Sequence, residues 1–365
     1  MSGRHYIDEH DGPDAIGKSA PADDAGGDPE SSEAFQSGPA RFTVRAEHNG
    51  WRLDRVVAAS VPSVSRSRIQ TWIERGAARI NSGAGRTSDR VYQGDLVEIE
   101  LQEPPELAAF TAEPMDLQVV HEDDWLIVLD KPPGLVVHPG AGNWRGTLLN
   151  GLLAHAPGLS VVPRAGIVHR LDAGTSGLMV VAKTEAIQLD LVRQLQHRQV
   201  VREYWAVVTG LAPDSGVIDA ALARDPRNPL RFRVSARADA RQARTHFRRV
   251  AVSQTATALI GASLSWLACR LDTGRTHQIR VHLESIGHPL LGDPLYSKHR
   301  PLVRGVALGL TRQALHACRL SLRHPKSGQV ISWFRPPPED LGALMRSVGF
   351  EAQRPVDAFG AGVAG

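Results

Sequence analysis

The sequence predicts an α+β protein with two folded domains, and three observations support this. Its 365 residues are enough for two domains that each bury a core. Between residues 115 and 340, strand-like and helix-like segments alternate irregularly, which favours a mixed α+β domain over a doubly wound nucleotide fold. A stretch with three prolines, Gln102 to Pro114, is typical of a linker and separates that domain from a small α/β module at residues 41–101.

The composition excludes several classes of protein. With 42% hydrophobic and 22% charged residues, the chain resembles an ordinary globular protein. No apolar run approaches the roughly 18 residues that a membrane span needs, and the first residues lack the basic start and apolar core of a signal peptide. Two cysteines, Cys269 and Cys318, are too few for a disulfide scaffold or a four-cysteine zinc site. We therefore expect a cytoplasmic protein that is not bound to a membrane.

Charge is distributed unevenly along the chain. Residues 1–40 hold nine acidic and two basic residues, which leaves 40 basic against 30 acidic residues in the rest, a net charge of +10. Residues 1–40 also have few large apolar side chains, so we expect a disordered acidic tail there. The basic remainder indicates a polyanionic partner, because lysine and arginine release counterions when they neutralise phosphates.

Two glycine-rich matches to nucleotide-binding patterns lack the structural context that such patterns need. Gly12–Ser19 (GPDAIGKS) fits the P-loop pattern, and Gly360–Gly365 fits G-x-G-x-x-G. A functional phosphate-binding loop lies between a buried strand and the start of a helix, and neither match lies between two such elements. We therefore expect no bound nucleotide.

The 41–101 module is predicted to contain a strand, two helices and two further strands. The first helix places four apolar residues on one face, Leu53, Val56, Val57 and Val61. The second helix starts after Ser65 and ends at Gly76, and its buried stripe is Ile69, Trp72 and Ile73. Arg66, Arg68 and Arg75 are expected to stay exposed. Arginines near a helix N-terminus do not help the helix, so contact with phosphate is the natural explanation, although a merely solvated face is the alternative.

The main domain begins with short apolar strands broken by Asp-Asp and Pro-Pro-Gly, in residues 117–140. A helix is predicted from Thr184 with Ile187, Leu191 and Leu195 at helical spacing, then a strand at 202–210. Further β-rich segments lead to residue 275, and HQIRVHLESIG is predicted to be a helix. We expect a loose tail at residues 341–365.

The segment HRLDAGTSGLMVVAKT, residues 169–184, holds the most distinctive candidate site. A strand–turn–strand arrangement would expose Asp172 at a sheet end, and the neighbouring Arg170 would keep its carboxylate charged. A charged carboxylate suits a nucleophile or a base better than a general acid. The alternative is a structural Asp–Arg pair that holds a turn. His277 and His282 are five residues apart, which does not suit a helical metal site, so no metal is expected.

This segment resembles the signature of the ribosomal large-subunit pseudouridine synthases of the RluA/RluD type, and three further blocks, the last of them in two parts, occur in the order of that family. They are DKPPGLVVHPG (130–140) with GTLLNGLL (146–153), REYWAVVTG (202–210), LDTGRTHQIRVHLESIGHPLLGDPLYS (271–297) and RQALHACRLSLRHPKSG (312–328). Residues 52–54, 65–81 and 94–99 resemble the RNA-binding module of ribosomal protein S four. The resemblance spans residues 41 to about 340. It implies a mixed, largely antiparallel catalytic sheet.

The resemblance also implies isomerisation of uridine in RNA without cofactor or metal. Asp172 would be the catalytic aspartate, Tyr204 the aromatic that packs on the base, and Arg280 the cation that pairs with the aspartate. Supporting roles would fall to residues that shape the loop, line the base pocket or contact RNA, namely Arg170, Thr175, Ile279, Arg275, His277, Arg52, Arg66, Arg68 and Arg75. The sequence departs from the family pattern at two places: Ala173-Gly174 replaces a charged pair, and Arg202 replaces a lysine.

Three functional hypotheses remain at this point. The first is a monomeric synthase that acts on large-subunit ribosomal RNA, with no membrane or nucleotide partner. The second is the same reaction on another RNA, such as transfer RNA. The third is a ribosome-assembly factor without catalytic activity, which the presence of Asp172, Tyr204 and Arg280 disfavours because RNA binding alone does not require a carboxylate near phosphates.

Overall fold

The structure is a computed structural model that describes residues 37–62, 64–102, 109–140, 142–253, 261–296, 305–351 and 358–359. The chain divides into two compact units, residues 1–103 and 104–365. Most of the predicted acidic tail and both glycine-rich matches lie outside the described residues.

The N-terminal unit is a small sheet with two helices. Four strands form a sheet in the order β1–β6–β3–β4, and two more, β2 and β5, form a separate pair. The elements are β1 (Gly38–Thr43), β2 (Trp51–Arg52), α1 (Leu53–Ser60), α2 (Arg66–Glu74), β3 (Ala78–Ile80), β4 (Gly83–Ala84), β5 (Arg90–Val91) and β6 (Leu96–Leu101). The predicted apolar stripes form the core, with Leu53, Val56, Val57 and Ile69 fully buried. Ser65 stands at the N-cap of α2, but its side chain makes no capping hydrogen bond.

The C-terminal unit is built on a mixed sheet of nine strands. The order is β11–β14–β15–β10–β16–β9–β8–β7, with β17 paired to β16, and every neighbouring pair is antiparallel except β16–β9. Its strands are β7 (Val119–Glu122), β8 (Leu126–Lys131), β9 (Ser176–Ala182), β10 (Val201–Thr209), β11 (Ser215–Asp219), β14 (Arg244–Ser253), β15 (Leu264–Leu271), β16 (Leu315–Arg323) and β17 (Val330–Phe334), and β12 (Leu222–Arg224) and β13 (Phe232–Val234) form a hairpin. The predicted mixed, largely antiparallel α+β fold is confirmed.

Both faces of this sheet are covered, because its central strands are apolar on both sides. One face packs against α3 (Leu148–His155), two 3-10 turns (Pro157–Val161 and Pro163–Gly166) and α5 (Gln278–Ser285). The other face packs against α4 (Glu185–Gln196) near β8 and β9, and against α6 (Glu339–Ser347) near β10 and β15. The first of these faces carries Tyr204 and Ile279 and therefore positions the candidate site.

Three predicted boundaries need correction. Residues 38–40 are not tail but the start of β1, paired with residues 99–101. The second half of the predicted linker belongs to the C-terminal unit, because the Asn150 side-chain amide donates to the carbonyls of Ala109 and Thr111. The residues after 340 are not a loose tail as far as 351. There Leu341, Leu344, Met345 and Val348 form an amphipathic stripe that is at most 2% exposed.

None of the helices in the described ranges has the length and apolar character that a membrane crossing requires. The described part of the chain likewise contains no cluster of three or more histidine, cysteine, aspartate or glutamate side chains that could hold a metal ion.

Candidate active site

Asp172 lies on a turn that leads into β9, next to the parallel neighbour β16. The turn is closed by the Thr175 N–H, which donates to the Asp172 carbonyl at 2.9 Å. Gly177 at φ +114° permits the close approach of β16, because a Cβ at this position would lie 2.3 Å from the Ala317 carbonyl oxygen. The predicted strand before the turn is wrong: 3-10 turns and an isolated bridge from Ile167 to Val181 occupy that stretch. The Asp172 side chain is 16% exposed, so a substrate can reach it.

The cation that contacts Asp172 is Arg280, on α5. Its Nη1 donates to Asp172 Oδ2 at 3.0 Å, across 108 residues of sequence. The rest of the guanidinium is held by Asp293, which is fully buried and accepts from Nε at 2.8 Å and from Nη2 at 3.0 Å. Burial alone would lower the pKa of Arg280, but Asp293 and, after it, Asp172 outweigh burial and raise it. Arg280 is therefore a permanent cation. Asp293 fixes its position, and its remaining donor binds Asp172.

Arg170, which precedes Asp172 by two residues, does not supply the charge that the sequence suggested. Its side chain is exposed, and no ion pair joins it to Asp172 within the described chain. The ion pair with Asp172 is formed instead by Arg280, which is far away in sequence, so adjacency along the chain was misleading.

Tyr204 and Ile279 form an apolar wall beside the carboxylate. Tyr204, on β10, is 5% exposed and Ile279, on α5, is 4% exposed, and both belong to the apolar cluster that also includes Leu171. Burial raises the pKa of the Tyr204 hydroxyl, the charge of Arg202 opposes this, and the charge of Asp172 adds to it. The ring therefore stays a neutral phenol at physiological pH, which suits stacking on a base.

His277 connects the carboxylate to a buried aromatic residue. Its Nε2 is 3.9 Å from Asp172 Oδ1, and its Nδ1 lies 2.9 Å from the hydroxyl oxygen of Tyr296. Burial lowers the pKa of His277 although Asp172 opposes this, so the imidazole is neutral near pH 7. Arg275, three residues before Gln278, is partly buried, with its Nε donating to the Gln242 carbonyl at 3.2 Å.

The loop that carries Asp172 is held from outside at three consecutive residues. Ala173 O accepts from the Lys131 ammonium at 3.0 Å and from the Gly134 N–H at 2.7 Å. Gly174 O accepts from Arg312 Nη1 at 3.0 Å, and Thr175 Oγ1 accepts from the Gln313 side-chain amide at 3.1 Å. The small residues Ala173 and Gly174 thus leave the carboxylate on a turn that its surroundings hold in place.

Two of the residues that hold this loop, Lys131 and Arg312, are buried cations. Lys131 is 1% exposed and donates to three carbonyls, and burial lowers its pKa to about 7. Arg312 is fixed by Asp340 of α6, whose two carboxylate oxygens accept from Nε at 2.6 Å and from Nη2 at 2.8 Å. The C-terminal helix therefore reaches the Asp172 turn through one arginine.

Two of the four arginines predicted to contact RNA in the N-terminal unit are engaged with a buried aspartate. Asp54 is fully buried and accepts from Arg52 Nε at 3.3 Å, Arg66 Nη2 at 2.9 Å and Gln70 Nε2 at 2.5 Å. Burial would raise the pKa of Asp54, but the hydrogen bonds from Gln70 and Arg66 outweigh it and lower the pKa. Arg66 and Gln70 of α2 therefore tie that helix to Asp54 of α1, and Arg52 bonds the same carboxylate from just before α1. Arg68 is half-buried and Arg75 is exposed at the end of α2.

Sequence reasoning did not find Asp293, Lys131, Arg312, Gln313 and Asp340. Asp293 and Lys131 stood within the quoted blocks, in GDPLY and DKPPG, where charged residues flanked by proline and glycine are a usable signal. Asp340 lies in the segment that was predicted to be loose, so its pairing with Arg312 had no signal in the sequence.

Comparison with known proteins agrees with this geometry. A family model described as RNA pseudouridylate synthase matches residues 125–285, which include Asp172, Tyr204 and Arg280. The ribosomal large subunit pseudouridine synthase D of Nitrosomonas europaea is 46% identical over 94% of this chain and 95% of its own length. The chain belongs to the RNA pseudouridylate synthase family. The resemblance stated from the motifs is thus confirmed, and the protein is an isomerase of RNA uridine.

Other relatives extend the same result. Enzymes of the same name from Neisseria meningitidis serogroup A and from Xanthomonas campestris are 48% and 43% identical over 85% and 89% of this chain, and over 82% and 97% of their own lengths. Among solved structures, human RNA Pseudouridylate Synthase Domain Containing 1 aligns with a TM-score of 0.50 at 24% identity, covering 64% of this chain and 90% of that chain. This alignment supports the fold of the synthase alone.

Proposed function

We propose that this synthase converts specific uridines of large-subunit ribosomal RNA to pseudouridine. The observation that carries the proposal is the Asp172 carboxylate, which is partly exposed, contacts the fixed cation Arg280 and lies next to the apolar wall of Tyr204 and Ile279. The relatives whose names specify the large ribosomal subunit align over most of the chain, which supports this choice of RNA.

The reaction is an isomerisation, so atoms and electrons balance without a co-reactant. The bond between the ribose anomeric carbon and uracil N1 breaks, a bond from the same carbon to uracil C5 forms, and the hydrogen of C5 leaves while N1 gains one. Asp172 acts at the ribose, by bonding to the anomeric carbon or by removing the 2′ hydrogen, and both routes need it ionised. Arg280 donates to Asp172 Oδ2 at 3.0 Å and so orients the carboxylate.

The remaining site residues hold the detached base and the loop. Tyr204 provides a face on which uracil stacks while it turns, and Ile279 excludes water from that side. Thr175 and Arg170 flank the aspartate on its turn, with Thr175 held by Gln313. No group beyond the chain's own side chains is required, so the enzyme needs no metal or cofactor.

Access to a uridine in folded RNA requires the nucleotide to be flipped out of its stack. Arg275 and His277, which lie just before α5 in the chain, are suited to receive the flanking strand. In the N-terminal unit, Arg68 and Arg75 contact RNA phosphates, while Arg52 and Arg66 contribute only the part of each guanidinium that Asp54 leaves exposed. The enzyme acts as a monomer in the cytoplasm and binds neither membranes nor nucleotides.

The test is to map pseudouridine in ribosomal and transfer RNA from cells that lack the gene, complemented with the wild type or with Asp172→Asn. We expect specific large-subunit signals to disappear and only the wild type to restore them. Loss of transfer-RNA signals instead would reassign the substrate, and no change in either pool would support a binding factor without activity. Pseudouridine formation by Asp172→Asn would remove the aspartate from the proposed mechanism.

A further inference from the structure

Two buried cations lie near the active site, and their surroundings differ. Lys131 is 1% exposed, and its ammonium donates to the carbonyls of Pro132, Leu135 and Ala173, at 2.7, 2.9 and 3.0 Å. Arg202 is 7% exposed, but within the described residues its guanidinium makes no hydrogen bond and no ion pair, and its Nε is buried without a partner. Buried charges normally have partners, so the contrast requires an explanation.

Arg202 points to the side of the sheet where the chemistry occurs. It precedes Tyr204 by two residues on β10, and side chains two apart on a strand lie on the same face. Its Nη1 lies against Gly274, because a Cβ on that glycine would be 2.9 Å from it. Gly274 belongs to the turn between β15 and α5, the helix that carries Arg280. The guanidinium therefore stands beside the Tyr204 ring, at the edge of the site.

Burial lowers the pKa of Arg202, and the charge of Asp272 opposes this, but Asp272 is shared with other cations. The nearest carboxylate along the turn, Asp272, is already engaged by His246 at 3.1 Å and has Arg198 and Arg244 at 3.9 and 4.0 Å. Burial and the charge of Arg202 lower the pKa of His169 to about 3, so that imidazole is neutral and supplies no anion. This end of the sheet consequently carries an excess of positive charge, which attracts an anion rather than a neutral carbonyl.

We propose that Arg202 binds a phosphate oxygen of the RNA strand, next to the nucleotide whose base stacks on Tyr204. The inference rests on the proposed function, because it takes RNA as the substrate. It assigns to a buried strand residue a contact that orients the flipped nucleotide, in addition to the contacts of exposed arginines. A guanidinium suits this role, since its planar set of donors can grip two phosphate oxygens at once.

The proposal predicts that Arg202 does not stabilise the folded protein in the absence of RNA. A buried charge without a partner destabilises the free protein, so its removal does not weaken the fold. We therefore expect Arg202→Gln to keep or raise the melting temperature of the full chain while it weakens RNA binding. A structural role for Arg202 predicts the opposite, a lowered melting temperature with RNA affinity unchanged per folded molecule.

The experiment compares four full-length proteins: wild type, Arg202→Gln, Arg202→Lys and the control Arg193→Gln. Arg193 is an exposed arginine on α4, so its substitution removes the same charge from a different surface. Each protein is titrated with an in vitro transcript of large-subunit ribosomal RNA at several salt concentrations, and kcat, KM and melting temperature are measured on the same preparations.

For Arg202→Gln we expect KM and Kd to rise by roughly tenfold to a hundredfold with a much smaller change in kcat. The slope of log affinity against log salt should become shallower by about 0.7 to 0.9, the loss of one phosphate contact. Arg202→Lys should restore the slope, and Arg193→Gln should resemble the wild type.

Two results overturn the proposal. An unchanged Kd and salt slope in Arg202→Gln would show that Arg202 does not bind a phosphate. A raised KM with an unchanged slope would show that Arg202 contacts the base instead. Failure of the proposed function is seen separately, in the wild type. If the wild type forms no pseudouridine in the transcript, its reaction or substrate has been misassigned, while the binding comparison still tests Arg202.

Discussion

The tripeptide Arg-Leu-Asp occurs in both units, at residues 52–54 and 170–172, and its two aspartates have opposite surroundings. Asp54 is fully buried and accepts hydrogen bonds from three side chains, including the arginine of its own tripeptide. Asp172 is 16% exposed and among the described residues accepts one, from Arg280, while Arg170 is exposed and forms no ion pair with it there. One carboxylate is saturated by the fold, and the other keeps an oxygen available for a substrate.

The difference comes from the structure that each tripeptide begins. Leu53 and Asp54 begin helix α1, whose packing on α2 brings Arg66 and Gln70 onto the carboxylate. Asp172 begins a turn of small residues whose backbone carbonyls, rather than its carboxylate, are bonded by Lys131 and Arg312. In the first unit the charge of Asp54 stabilises the fold. In the second unit the fold positions Asp172, and the carboxylate remains available to react with a substrate.

The comparison predicts its largest effect at Asp172. Asp172→Asn should lower kcat by about 10⁴-fold or more, because the reaction loses the group that acts on the ribose. Its melting temperature and RNA affinity should match the wild type, since Asp293 still holds Arg280. Single-turnover pseudouridine assays, together with thermal unfolding, check both parts, and a melting temperature several degrees lower would make Asp172 a structural residue like Asp54.

The matching substitution in the first unit should affect stability instead. Asp54→Asn should destabilise the N-terminal unit by about 3 kcal/mol, the low end for a broken buried ion pair, because Arg52 and Arg66 are half exposed and can turn to solvent. Hydrogen exchange of the amides in α1 and α2 of the full chain measures this, with the exposed Glu74→Gln as control. Unchanged protection would show that the Asp54 network contributes little.

A third aspartate tests how far the positioning of Asp172 extends. Asp340→Asn loosens Arg312, which bonds the Gly174 carbonyl, and should lower kcat by roughly tenfold to a hundredfold with little change in KM for RNA. The neighbouring Glu339→Gln is the matched control, because Glu339 is 83% exposed and pairs only with Arg346 among the described residues. Equal kcat values for the two variants would show that α6 does not help to position Asp172.

The smallest expected effect is one of pH. The pKa of Asp54 is lowered from its usual 3.8, so its stabilising contribution is complete above that value and is lost as the pH falls through the folded-state pKa. The N-terminal unit of the wild type should therefore become less protected below about pH 4. Asp54→Asn should lack this part of the acid dependence, and amide exchange followed from about pH 5 to about pH 2.5 compares the two. Parallel curves would contradict the assignment.

Local features of the fold could be predicted from the sequence, and distant pairings could not. Apolar spacing identified the stripes of α1, α2 and α4 and the strand β10, because these depend on neighbours within a few residues. The amphipathic helix α6 had the same kind of signal and was overlooked. Arg280 was associated with Asp172 only through family motifs, since no local rule joins residues 108 positions apart.

The residues that hold the site were the hardest to predict. Asp293, Lys131 and Arg312 each act on backbone or on another charged side chain, and such contacts depend on tertiary geometry rather than on a pattern along the chain. The adjacency of Arg170 and Asp172 even pointed to the wrong partner, because the ion pair with Asp172 forms with Arg280, which tertiary packing brings in from another part of the chain.

The link from Asp340 through Arg312 to Gly174 has a consequence for when the enzyme becomes active during its own synthesis. Translation proceeds from the N-terminus, so a nascent chain contains Asp172 and Lys131 long before it contains Arg312 and Asp340, which complete the support of the Asp172 turn. At about 5 to 20 residues per second, residue 340 is added roughly ten to thirty seconds after residue 172. Until then the turn lacks the Arg312 contact that Asp340 fixes, so we expect the nascent chain to reach full activity only after α6 has been added.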